Sequence, residues 1–562
     1  MYPAVKAEIA ELISSALAEA ADRGLLPAAE LPPLEFQIPR EAGHGDLATN
    51  AAMLLAGRVR RPPAEIAGVI SELIGERLSG RDMISRVEAD PRRGFLNFFI
   101  APSAVQAGLV RLLASSGGFG NTAAGGSRKV LLEFVSANPT GPLTVAHGRQ
   151  AAVGDVLANL LTAAGFEVCR EYYLNDRGRQ MKILGRSVYL RRRELAGEEI
   201  DFPADHYQGE YIRSLARRIP DPEEGWTGIG EEEVVEYCGD WASASLLEMI
   251  RGELKDFGVA IDSWVSEKEV VASGGVKEAL AELSARGHSY EKDGALWFKS
   301  SDFGDEKDRV LRKSSGELTY LSSDIAYHRG KYGRGFSSLI DFWGPDHHGY
   351  IARLKGSMAA FGLDPEILEV VIVQLSTLYE GKQKLSMSTR LGEFISLRQV
   401  LDKVGKDAAR YFFVRRRKES HLDFDLELAR KQTNDNPVYY VQYAHARINS
   451  IFKKFQESAG EDLPDFAAVD LAPLTEPGEL ELVRKLMLFP EQVESAALGR
   501  NCHLIPAYLE ELAALFHGYY SANRVISEDR KLTAARLALS RGVQMVLAEG
   551  LCLLGVTAPE SM

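Results

Sequence analysis

The stretch SANPTGPLTVAHGRQAAVGDVLANLL runs from Ser136 to Leu161. It follows KVLLEFV (Lys129 to Val135), a nearly continuous apolar run of the kind found in a strand buried on both faces. Val153 to Ala164 then has the composition of a helix that ends at Gly165, and FEVCREYYLND (Phe166 to Asp176) has strand-like composition again. This order of strand, loop, helix and strand predicts a βαβ unit of a parallel sheet.

The alternation of strands and helices continues further along the chain. SLIDFWG (Ser338 to Gly344) and LEVVIVQL (Leu368 to Leu375) are strand candidates, and a helical stretch from Tyr350 to Phe361 lies between them. Residues from about 177 to 300 are highly charged and mixed in pattern, which indicates an insertion packed on the sheet. The expected fold class is therefore α/β, with a Rossmann-like, doubly wound parallel sheet.

Two further regions flank this sheet in the sequence. Residues 1–115 begin with a helical pattern and end in RGFLNFFI (Arg93 to Ile100), which predicts a small N-terminal α+β domain. The Gly/Ser-rich stretch from Ser115 to Ser127 is typical of a linker or an exposed loop. Long amphipathic segments within 405–562 predict a C-terminal α-helical bundle. The sheet domain, with its insertion, is then expected at 116–404.

Composition limits the possible classes of protein. The chain has 562 residues, 45% hydrophobic and 26% charged, which suffices for three or four globular domains. The four cysteines lie far apart without a CxxC pair, so neither a disulfide framework nor a zinc site is indicated, and a reducing cytoplasmic location is expected. No run of about 18 apolar residues predicts a membrane span. The net charge of -13 does not exclude nucleic acid, because Arg191 to Arg193 and Arg415 to Lys418 are local basic runs.

The loop that follows the first predicted strand is the natural place for a ligand. In an open parallel sheet, ligands bind at the carboxyl ends of strands, where a helix N-terminus presents free N–H groups to phosphate. Gly148 would let a flat base pack against bare backbone, and His147, placed just before the helix, could donate to phosphate oxygens. A lone histidine is equally explained as a hydrogen-bonded structural residue, and that alternative stays open here.

Two short segments resemble the signatures of class I aminoacyl-tRNA synthetases, His-x-Gly-His and Lys-Met-Ser-Lys-Ser. They read TVAH at 144–147 and SMSTR at 386–390, on either side of the predicted parallel sheet. The longer strings EFVSANPTGPL, YYLNDRGRQ, LTYLSSDIAYH, WGPDHHGY, DFDLELA and NPVYYVQYAHARI resemble the arginyl-tRNA synthetase family. The resemblance covers the whole chain, including HGDLATNAA and GFLNF near the N-terminus.

The resemblance implies a two-step ligase. Arginine would attack the α-phosphate of ATP, accompanied by Mg²⁺, to give arginyl-adenylate and pyrophosphate, and the arginyl group would pass to the terminal adenosine of tRNA(Arg). The N-terminal domain would contact the tRNA elbow and the bundle would bind the anticodon. The implied partners are L-arginine, ATP and tRNA(Arg), with no membrane and no tightly bound metal or organic cofactor, and the implied state is a monomer. Catalysis would rest on positioning and charge stabilisation.

Arginine recognition requires acidic side chains, because a guanidinium is a planar fork of donors that pairs with a carboxylate. Glu133 lies in an apolar strand. Asp324 follows Tyr320 by four residues, a spacing that places Tyr320 and Asp324 on one face of a helix. Each acid also has a simpler explanation: Glu133 could be an ordinary acid at a strand edge, and Asp324 an ordinary acid on a helix surface. With the resemblance added, the expected arginine-binding residues are Glu133, Ser136, Asn138, Tyr320, Asp324, His348 and Gln374.

WGPDHHGY follows a strand directly, where the family holds ribose and adenine. The expected ATP-binding residues are Thr144, His147, Gly148, Gly344, Asp346, His347, Met387 and Ser388. Adjacent histidines do not predict a metal site, because consecutive residues on an extended chain point to opposite faces and no third ligand is spaced nearby.

The second signature lacks its lysines, since Ser386 and Thr389 stand in their places, so another cation must face the phosphates. We expect Lys384 and Arg390 to share that role on a loop spanning 382–392, and the expected catalytic residues are His147, Lys384, Ser388 and Arg390. Solvated surface cations are the simpler alternative.

In the bundle, Tyr439, Tyr443 and Arg447 are expected to bind tRNA, because unpaired bases stack on tyrosine and arginine faces. Packing of tyrosines within the bundle is the alternative. Two rival functions also remain at this point: a tRNA-binding paralogue that has lost catalysis, and a pantothenate-synthetase-like nucleotidyltransferase, which would not need a long C-terminal helical domain.

Overall fold

The computed structural model of the chain describes residues 2–39, 41–221, 230–385 and 395–562. Within these ranges, every helix is too short or too polar to cross a bilayer.

The N-terminal region is a small α+β unit. Its elements are α1 (Tyr2–Asp22), β1 (Phe36–Gln37), β2 (Leu47–Thr49), α2 (Ala51–Val59), α3 (Pro63–Gly75), β3 (Ile84–Ala89), β4 (Leu96–Ile100) and α4 (Pro102–Ala114). The strands form an antiparallel sheet in the order β1-β2-β4-β3, and α1 and α3 pack together. Both α3 and α4 begin with proline, whose fixed φ suits the first helical turn. α4 leaves this unit and packs on the C-terminal helices.

The middle of the chain contains the predicted sheet. Its elements are β5 (Lys129–Glu133), α5 (Val145–Ala163), β6 (Glu167–Leu174), α6 (Arg179–Leu195), α7 (Glu210–Arg218), α8 (Glu231–Asp256), β7 (Ser263–Ser266), α9 (Glu267–Ala272), α10 (Gly275–Ala285), β8 (Ser289–Lys292), β9 (Ala295–Phe298), β10 (Arg309–Arg312), α11 (Tyr320–Tyr332), β11 (Ser338–Trp343), α12 (Ile351–Ala360) and β12 (Leu368–Ile372). The order β12-β11-β5-β6-β7 is parallel throughout, which confirms the doubly wound α/β fold. The strand order reverses between β5 and β11, and this reversal fixes the expected position of the ligand.

The region predicted as an insertion contributes to the main sheet as well. β7 pairs with β6 as an edge strand, whereas α6, α7 and α8 pack on one another and β8, β9 and β10 form a separate antiparallel sheet. The sequence SWVS carries no apolar run because an edge strand is paired on one side and only partly buried. Its short, polar sequence therefore concealed its place in the sheet.

A second strand group leads from the sheet to the bundle. It contains β13 (Ser376–Glu380), β14 (Gln383–Lys384), α13 (Leu397–Arg415), β15 (Leu422–Asp425) and α14 (Leu426–Arg430). β13 pairs antiparallel with β14 and parallel with β15. Gly405 interrupts α13 with a φ of 78°, a conformation that glycine adopts without a steric penalty.

The C-terminal region is helical, as predicted. It consists of α15 (Pro437–Ala459), α16 (Pro477–Met487), α17 (Phe489–Leu498), α18 (Leu504–Ala522) and α19 (Arg530–Leu553). The Gly/Ser-rich stretch before β5 is a loop, but it is anchored to this bundle. The backbone N–H groups of Phe119 and Gly120 donate to the carboxylate of Glu549, and Gly125 lies against Gly165 too closely for any side chain.

Candidate active site

A cavity of about 440 Å³ lies at the carboxyl ends of β5, β6, β11 and β12, at the point where the strand order reverses. Its wall includes the start of α5 and the inward face of α11. Expected site residues from both halves of the sheet line it: Glu133, Ser136, Asn138, His147, Asp324, Gly344, Asp346, His347 and Gln374. The topology thus brings together most of the residues that the sequence proposed separately.

His147 lies inside α5, and not just before it as the sequence suggested. The helix begins at Val145, and His147 is its third residue, so the Nδ1 atom accepts a hydrogen bond of 3.1 Å from the backbone N–H of Thr144. Burial lowers the pKa of His147 to about 4, which keeps the imidazole neutral at physiological pH. With Nδ1 accepting, the neutral ring carries its hydrogen on Nε2. His147 is therefore both a helix cap and an uncharged donor at the cavity.

Gly148 lacks a side chain for a different reason from the one proposed. A Cβ atom there would lie 2.7 Å from Leu397 and 3.3 Å from Phe413, both on α13. Glycine thus permits close packing of α5 against α13. Ala146, two residues earlier, lines the cavity in its place.

The backbone that leaves β5 is strained at the cavity. Val135 and Ser136 have φ values of 70° and 39°, in the left-handed region that costs a non-glycine residue about 1–3 kcal/mol. This turn directs the Ser136 hydroxyl to Glu133, to which it donates at 2.9 Å, while the same oxygen accepts from the backbone N–H of Tyr173. This backbone conformation fixes the Ser136 hydroxyl at the carboxyl end of β5, beside the cavity.

Three acids stand side by side below the cavity. Glu171 on β6, Glu133 on β5 and Asp341 on β11 are direct partners in the parallel register, so their side chains share one face of the sheet. We call Glu133, Glu171 and Asp341 the acid ladder. All three are buried, with Asp341 and Glu171 at 0% exposure. Carboxylates so close together and so far from water require cations within contact distance.

α11 supplies the main partners of the acid ladder. The Lys331 ammonium lies 2.5 Å from Glu133 and 2.9 Å from Asp341, and the Tyr327 hydroxyl is 3.0 Å from Glu133 and 2.8 Å from Glu171. Although burial opposes it, the attraction of Asp341 and Glu133 raises the pKa of Lys331. The Arg334 guanidinium, beyond the helix, pairs with Glu171 at 2.6 Å. The floor of the cavity is therefore a network of compensated charges.

His328 completes this network. Its Nδ1 atom lies 2.8 Å from the carbonyl oxygen of Asp324 and its Nε2 atom lies 2.7 Å from the carboxylate of Asp341, so each ring nitrogen faces an acceptor. Glu133, His328 and Asp341 together have the donor spacing of a metal site. Lys331 already binds two of these carboxylates, so the cluster does not fit a cation.

Asp324 differs from the ladder acids because its charge has no cationic partner within 4 Å among the described residues. Its carboxylate accepts one hydrogen bond, from the Tyr350 hydroxyl at 2.6 Å, and faces the cavity. Burial raises the pKa of Asp324. The hydroxyl of Tyr173, which stacks on Tyr327 with ring centres 4.2 Å apart, is buried beside it without a partner in the described structure. The Asp324 carboxylate and the Tyr173 hydroxyl can therefore bind a cationic ligand that also donates hydrogen bonds.

The remaining expected arginine residues lie in less uniform places. The Asn138 amide donates to Gln180 at 2.5 Å, and Gln374 follows β12 at the rim. Tyr320 is the first residue of α11 and 54% exposed, with its hydroxyl beside Gly178, and His348 is exposed in the short 3-10 helix Pro345–Tyr350. Neither Tyr320 nor His348 lines the described cavity.

The expected nucleotide side is exposed by comparison. Asp346 and His347 lie on the rim, with 3.4 Å between the carboxylate of Asp346 and the Nε2 atom of His347, and Lys384 is exposed at the end of β14. Beyond the second signature in the sequence, the backbone N–H of Leu397 donates to the carbonyl of Leu143, which directly precedes the first signature. The expected residues Ser386, Met387, Ser388, Thr389 and Arg390 lie outside the described residues.

The aromatic face predicted on the bundle exists on α15. Tyr439 and Tyr443 stack with ring centres 5.9 Å apart, and the Arg447 guanidinium lies 4.5 Å from the Tyr443 ring. All three side chains are partly exposed. In contrast, Gln442 and His445 are buried and hydrogen-bond the C-terminal tail through the carbonyl oxygens of residues 557 and 559. Thus α15 has one face that packs and one that remains accessible.

Several residues of the site were missed by the sequence argument: Tyr173, Tyr327, His328, Lys331, Asp341 and Tyr350. A usable signal existed for some of them. Asp324, His328 and Lys331 are spaced i, i+4 and i+7, which places three ionisable groups on one face of a helix. Asp341, like Glu133, is an acid inside an apolar strand.

Comparison with known proteins identifies relatives over the full chain. Residues 7–100 match the arginyl tRNA synthetase N terminal domain, residues 109–453 match the catalytic domain of class I tRNA synthetases (R), and residues 441–562 match the DALR anticodon binding domain. The arginine–tRNA ligase of Desulfosudis oleivorans is 48% identical over 99% of this chain and 100% of the relative, and that of Syntrophotalea carbinolica is 46% identical over the same shares. The structure is similar to Thermus thermophilus arginyl-tRNA synthetase, with a TM-score of 0.73 and 26% identity over 98% of this chain and 99% of that one.

Proposed function

This chain belongs to the arginyl-tRNA synthetase family, and on that premise we propose how its cavity divides the work of the family reaction. The chain is an arginine–tRNA ligase that uses ATP. The arginine carboxylate attacks the α-phosphorus of ATP, and pyrophosphate leaves. A ribose hydroxyl of the terminal adenosine of tRNA(Arg) then attacks the arginyl carbonyl carbon, and AMP leaves. Neither step requires a covalent bond to the protein.

Asp324 is the proposed primary partner of the substrate guanidinium. Its charge is not matched by a cation within 4 Å in the described structure, and a half-buried carboxylate with a raised pKa gains from pairing with a bidentate cation. The Tyr350 hydroxyl fixes its rotamer. The unpartnered Tyr173 hydroxyl is a further polar contact for the same group.

Glu133 is proposed as a secondary partner. Lys331 and Tyr327 bond to its Oε2 atom and Ser136 bonds to Oε1. A carboxylate has about four acceptor positions, so one remains for the guanidinium. In this arrangement Lys331 holds Glu133 in its ionised form and in place. Asn138, Tyr320, His348 and Gln374 remain proposed contacts for the rest of the arginine molecule.

The start of α5 is proposed to receive the triphosphate. Free N–H groups at the helix start and the Nε2–H of His147 are donors that need no change of protonation as phosphate charge grows. Thr144, Gly344, Asp346 and His347 surround the proposed nucleoside position. Mg²⁺ would enter bound to the ATP phosphates and reduce their charge, since the one donor cluster found in the described ranges is closed by Lys331.

Further features of the working enzyme are also proposals. We infer a monomer that works in the cytosol, where its tRNA substrate is used, with boundaries near residues 115 and 404 separating its three domains. Tyr439, Tyr443 and Arg447 would stack on bases of the anticodon loop. The paralogue without catalysis is disfavoured, because the full-length relatives are ligases. The match to an anticodon binding domain likewise disfavours the pantothenate-synthetase-like alternative.

One observation carries the proposed assignment of the arginine pocket: a half-buried carboxylate, without a cationic partner among the described residues, faces a cavity that also presents His147. The test is charging of total tRNA by the purified protein with each of the twenty amino acids and with citrulline, the neutral analogue of arginine. Arginine alone is expected to be esterified, because lysine lacks the planar fork and citrulline lacks the charge. Equal charging with citrulline would overturn the role of Asp324.

A further inference from the structure

Arg149 is a buried cation that the proposed reaction does not use. It follows Gly148 on α5, is 0% exposed, and points away from the substrates. Its NH1 group donates to the carbonyl oxygens of Gln374 at 2.7 Å and Ser420 at 2.9 Å, and its NH2 group donates to that of Arg417 at 2.9 Å. One guanidinium therefore joins the signature helix, the rim of the cavity and the loop that follows α13.

This arrangement is unusual for a buried charge. No carboxylate of the described residues lies within 4 Å of the Arg149 guanidinium, and its Nε atom has no partner there. Burial accordingly lowers its pKa to about 10. A buried cation held by carbonyl dipoles alone stabilises the fold less than an apolar side chain of the same size would. Its hydrogen bonds instead hold the loop against α5 and the cavity rim.

The loop held by Arg149 carries a patch of positive charge on an acidic protein. It spans residues 416–420, and the backbone N–H of Gln374 donates to the carbonyl of Lys418, which adds a second link to the cavity rim. Arg416 and Arg417 are exposed, and no acid of the described structure pairs with either, whereas the neighbouring Arg415 is paired with Glu510. We call residues 416–418 the basic loop.

The bundle contributes two further side chains at the same place. Arg500, which pairs with Glu369 at 3.1 Å, and His503, whose pKa is lowered by burial, lie at the turn between α17 and α18. They line a small cavity together with Arg416 and Lys418. The patch therefore lies where the catalytic sheet meets the helical bundle.

We propose that the basic loop, with Arg500 and His503, binds backbone phosphates of the tRNA, and that Arg149 couples this contact to the position of the cavity rim at Gln374. The inference rests on the proposed function, because it takes tRNA as the polyanion. Unpaired guanidinium groups on a fixed loop suit phosphates, which accept two parallel hydrogen bonds. The contact carries no sequence information and acts through affinity and position.

The first test replaces the exposed pair with R416A/R417A in the full chain. At 0.1 M salt we expect kcat/KM for tRNA to fall at least tenfold, with the KM for arginine and ATP within twofold of wild type. The slope of log kcat/KM for tRNA against log salt concentration should become shallower by about 1.5. Each phosphate contact contributes about 0.7–0.9 to this slope, and the variant loses the contacts of both arginines. The variant R416K/R417K keeps both charges and is the matched control, with a slope near wild type.

The second test addresses the coupling. R149K keeps the charge but cannot span the carbonyls of residues 374, 417 and 420 together. We expect it to raise the KM for tRNA and to lower the rate of arginyl transfer at saturating tRNA, while the KM for arginine changes less than twofold. The triple variant R149K/R416A/R417A should raise the tRNA KM by less than the product of the two separate fold-changes, since both sets of substitutions act on one loop.

The outcomes separate this inference from the proposed function. A wild-type protein that does not charge tRNA with arginine removes the function itself. Suppose instead that the wild-type protein charges tRNA with arginine. If the R416A/R417A variant then keeps the wild-type salt slope and tRNA KM, the basic loop does not contact tRNA. If the fold-changes in tRNA KM caused by R149K and R416A/R417A simply multiply, Arg149 is not coupled to the basic loop. If R149K does not fold, the loop variants still decide the phosphate contact.

Discussion

The two ends of the cavity are built in opposite ways. At the arginine end, the acid ladder and α11 form a closed network in which Lys331, Tyr327 and His328 occupy fixed positions below Asp324. At the proposed phosphate end, the described groups are a neutral histidine, a helix N-terminus and the exposed Lys384. Charge is thus buried and compensated beneath the proposed arginine pocket, and accessible on the proposed phosphate side.

The difference follows from the two tasks. Selecting one amino acid requires a site whose charges are in place before the ligand arrives, because reorganisation of buried groups would cost affinity. Phosphates arrive with their own cations and leave as pyrophosphate, so exposed cations such as Lys384 can serve them. Each prediction below tests whether the arginine end is rigid and charged while the phosphate end is open and adjustable.

The largest effect is expected from Lys331→Met. It leaves Glu133 and Asp341 buried without their shared cation, and breaking a buried ion pair in this way costs about 3–5 kcal/mol of folding free energy. The measurement is the free energy of unfolding from a urea titration. Lys313→Met, which removes an exposed ion pair with Glu317, is the matched control and should cost less than about 1 kcal/mol. Equal losses would mean that the acid ladder is not a preformed network.

The next largest effect is expected from Asp324→Asn. The side chain keeps its shape and loses its charge, so kcat/KM for arginine should fall about 10²–10³-fold, equivalent to about 3–4 kcal/mol, and the preference over citrulline should shrink. Steady-state charging at varied arginine concentration measures this. Asp302→Asn, an exposed acid away from the cavity, should behave as wild type. An unchanged arginine dependence would assign guanidinium recognition to other groups.

A smaller effect is expected at the phosphate end. Changing Lys384 or Arg390 to alanine should lower the rate of adenylate formation more than tenfold, while arginine affinity stays nearly constant, because the lost cation faces charge that develops during the reaction. Single-turnover activation at saturating ATP, arginine and tRNA is the measurement, with Lys292→Ala, an exposed lysine on β8, as control. Wild-type rates for both variants would place the compensating charge elsewhere.

The smallest effect is expected from pH. The pKa of Asp324 is raised and only its ionised form pairs with arginine, so on acidification the KM for arginine should begin to rise at a higher pH than for an ordinary aspartate, whose pKa is about 3.9. The pKa of His147 is about 4, so its neutral form persists between pH 5 and 8 and contributes no acidic limb to the activation rate at saturating arginine. Single-turnover rates at limiting and saturating arginine over this range separate the two ends. A saturating rate that falls with protonation near pH 6.5 would contradict the neutral role of His147.

Much of the fold could be predicted because its signals are local. Apolar runs gave β5, β11 and β12, and amphipathic periodicity gave the C-terminal helices. The edge strand β7 was missed, since a strand paired on one side needs no apolar run. His147 was placed outside α5, although Thr144 three residues earlier is a typical N-cap and marks the true start.

The sequence by itself determined the elements, the family and the presence of acids within apolar strands, because these depend on residues near one another in the chain. Only the tertiary structure decided which acid is free. Register aligns Glu171, Glu133 and Asp341 across three strands, and Lys331, 198 residues from Glu133, pairs with two of them. Among the described residues, no cation pairs with Asp324, because of where α11 packs. Coulomb energies depend on distance in space and on burial, and neither can be read from spacing along the chain.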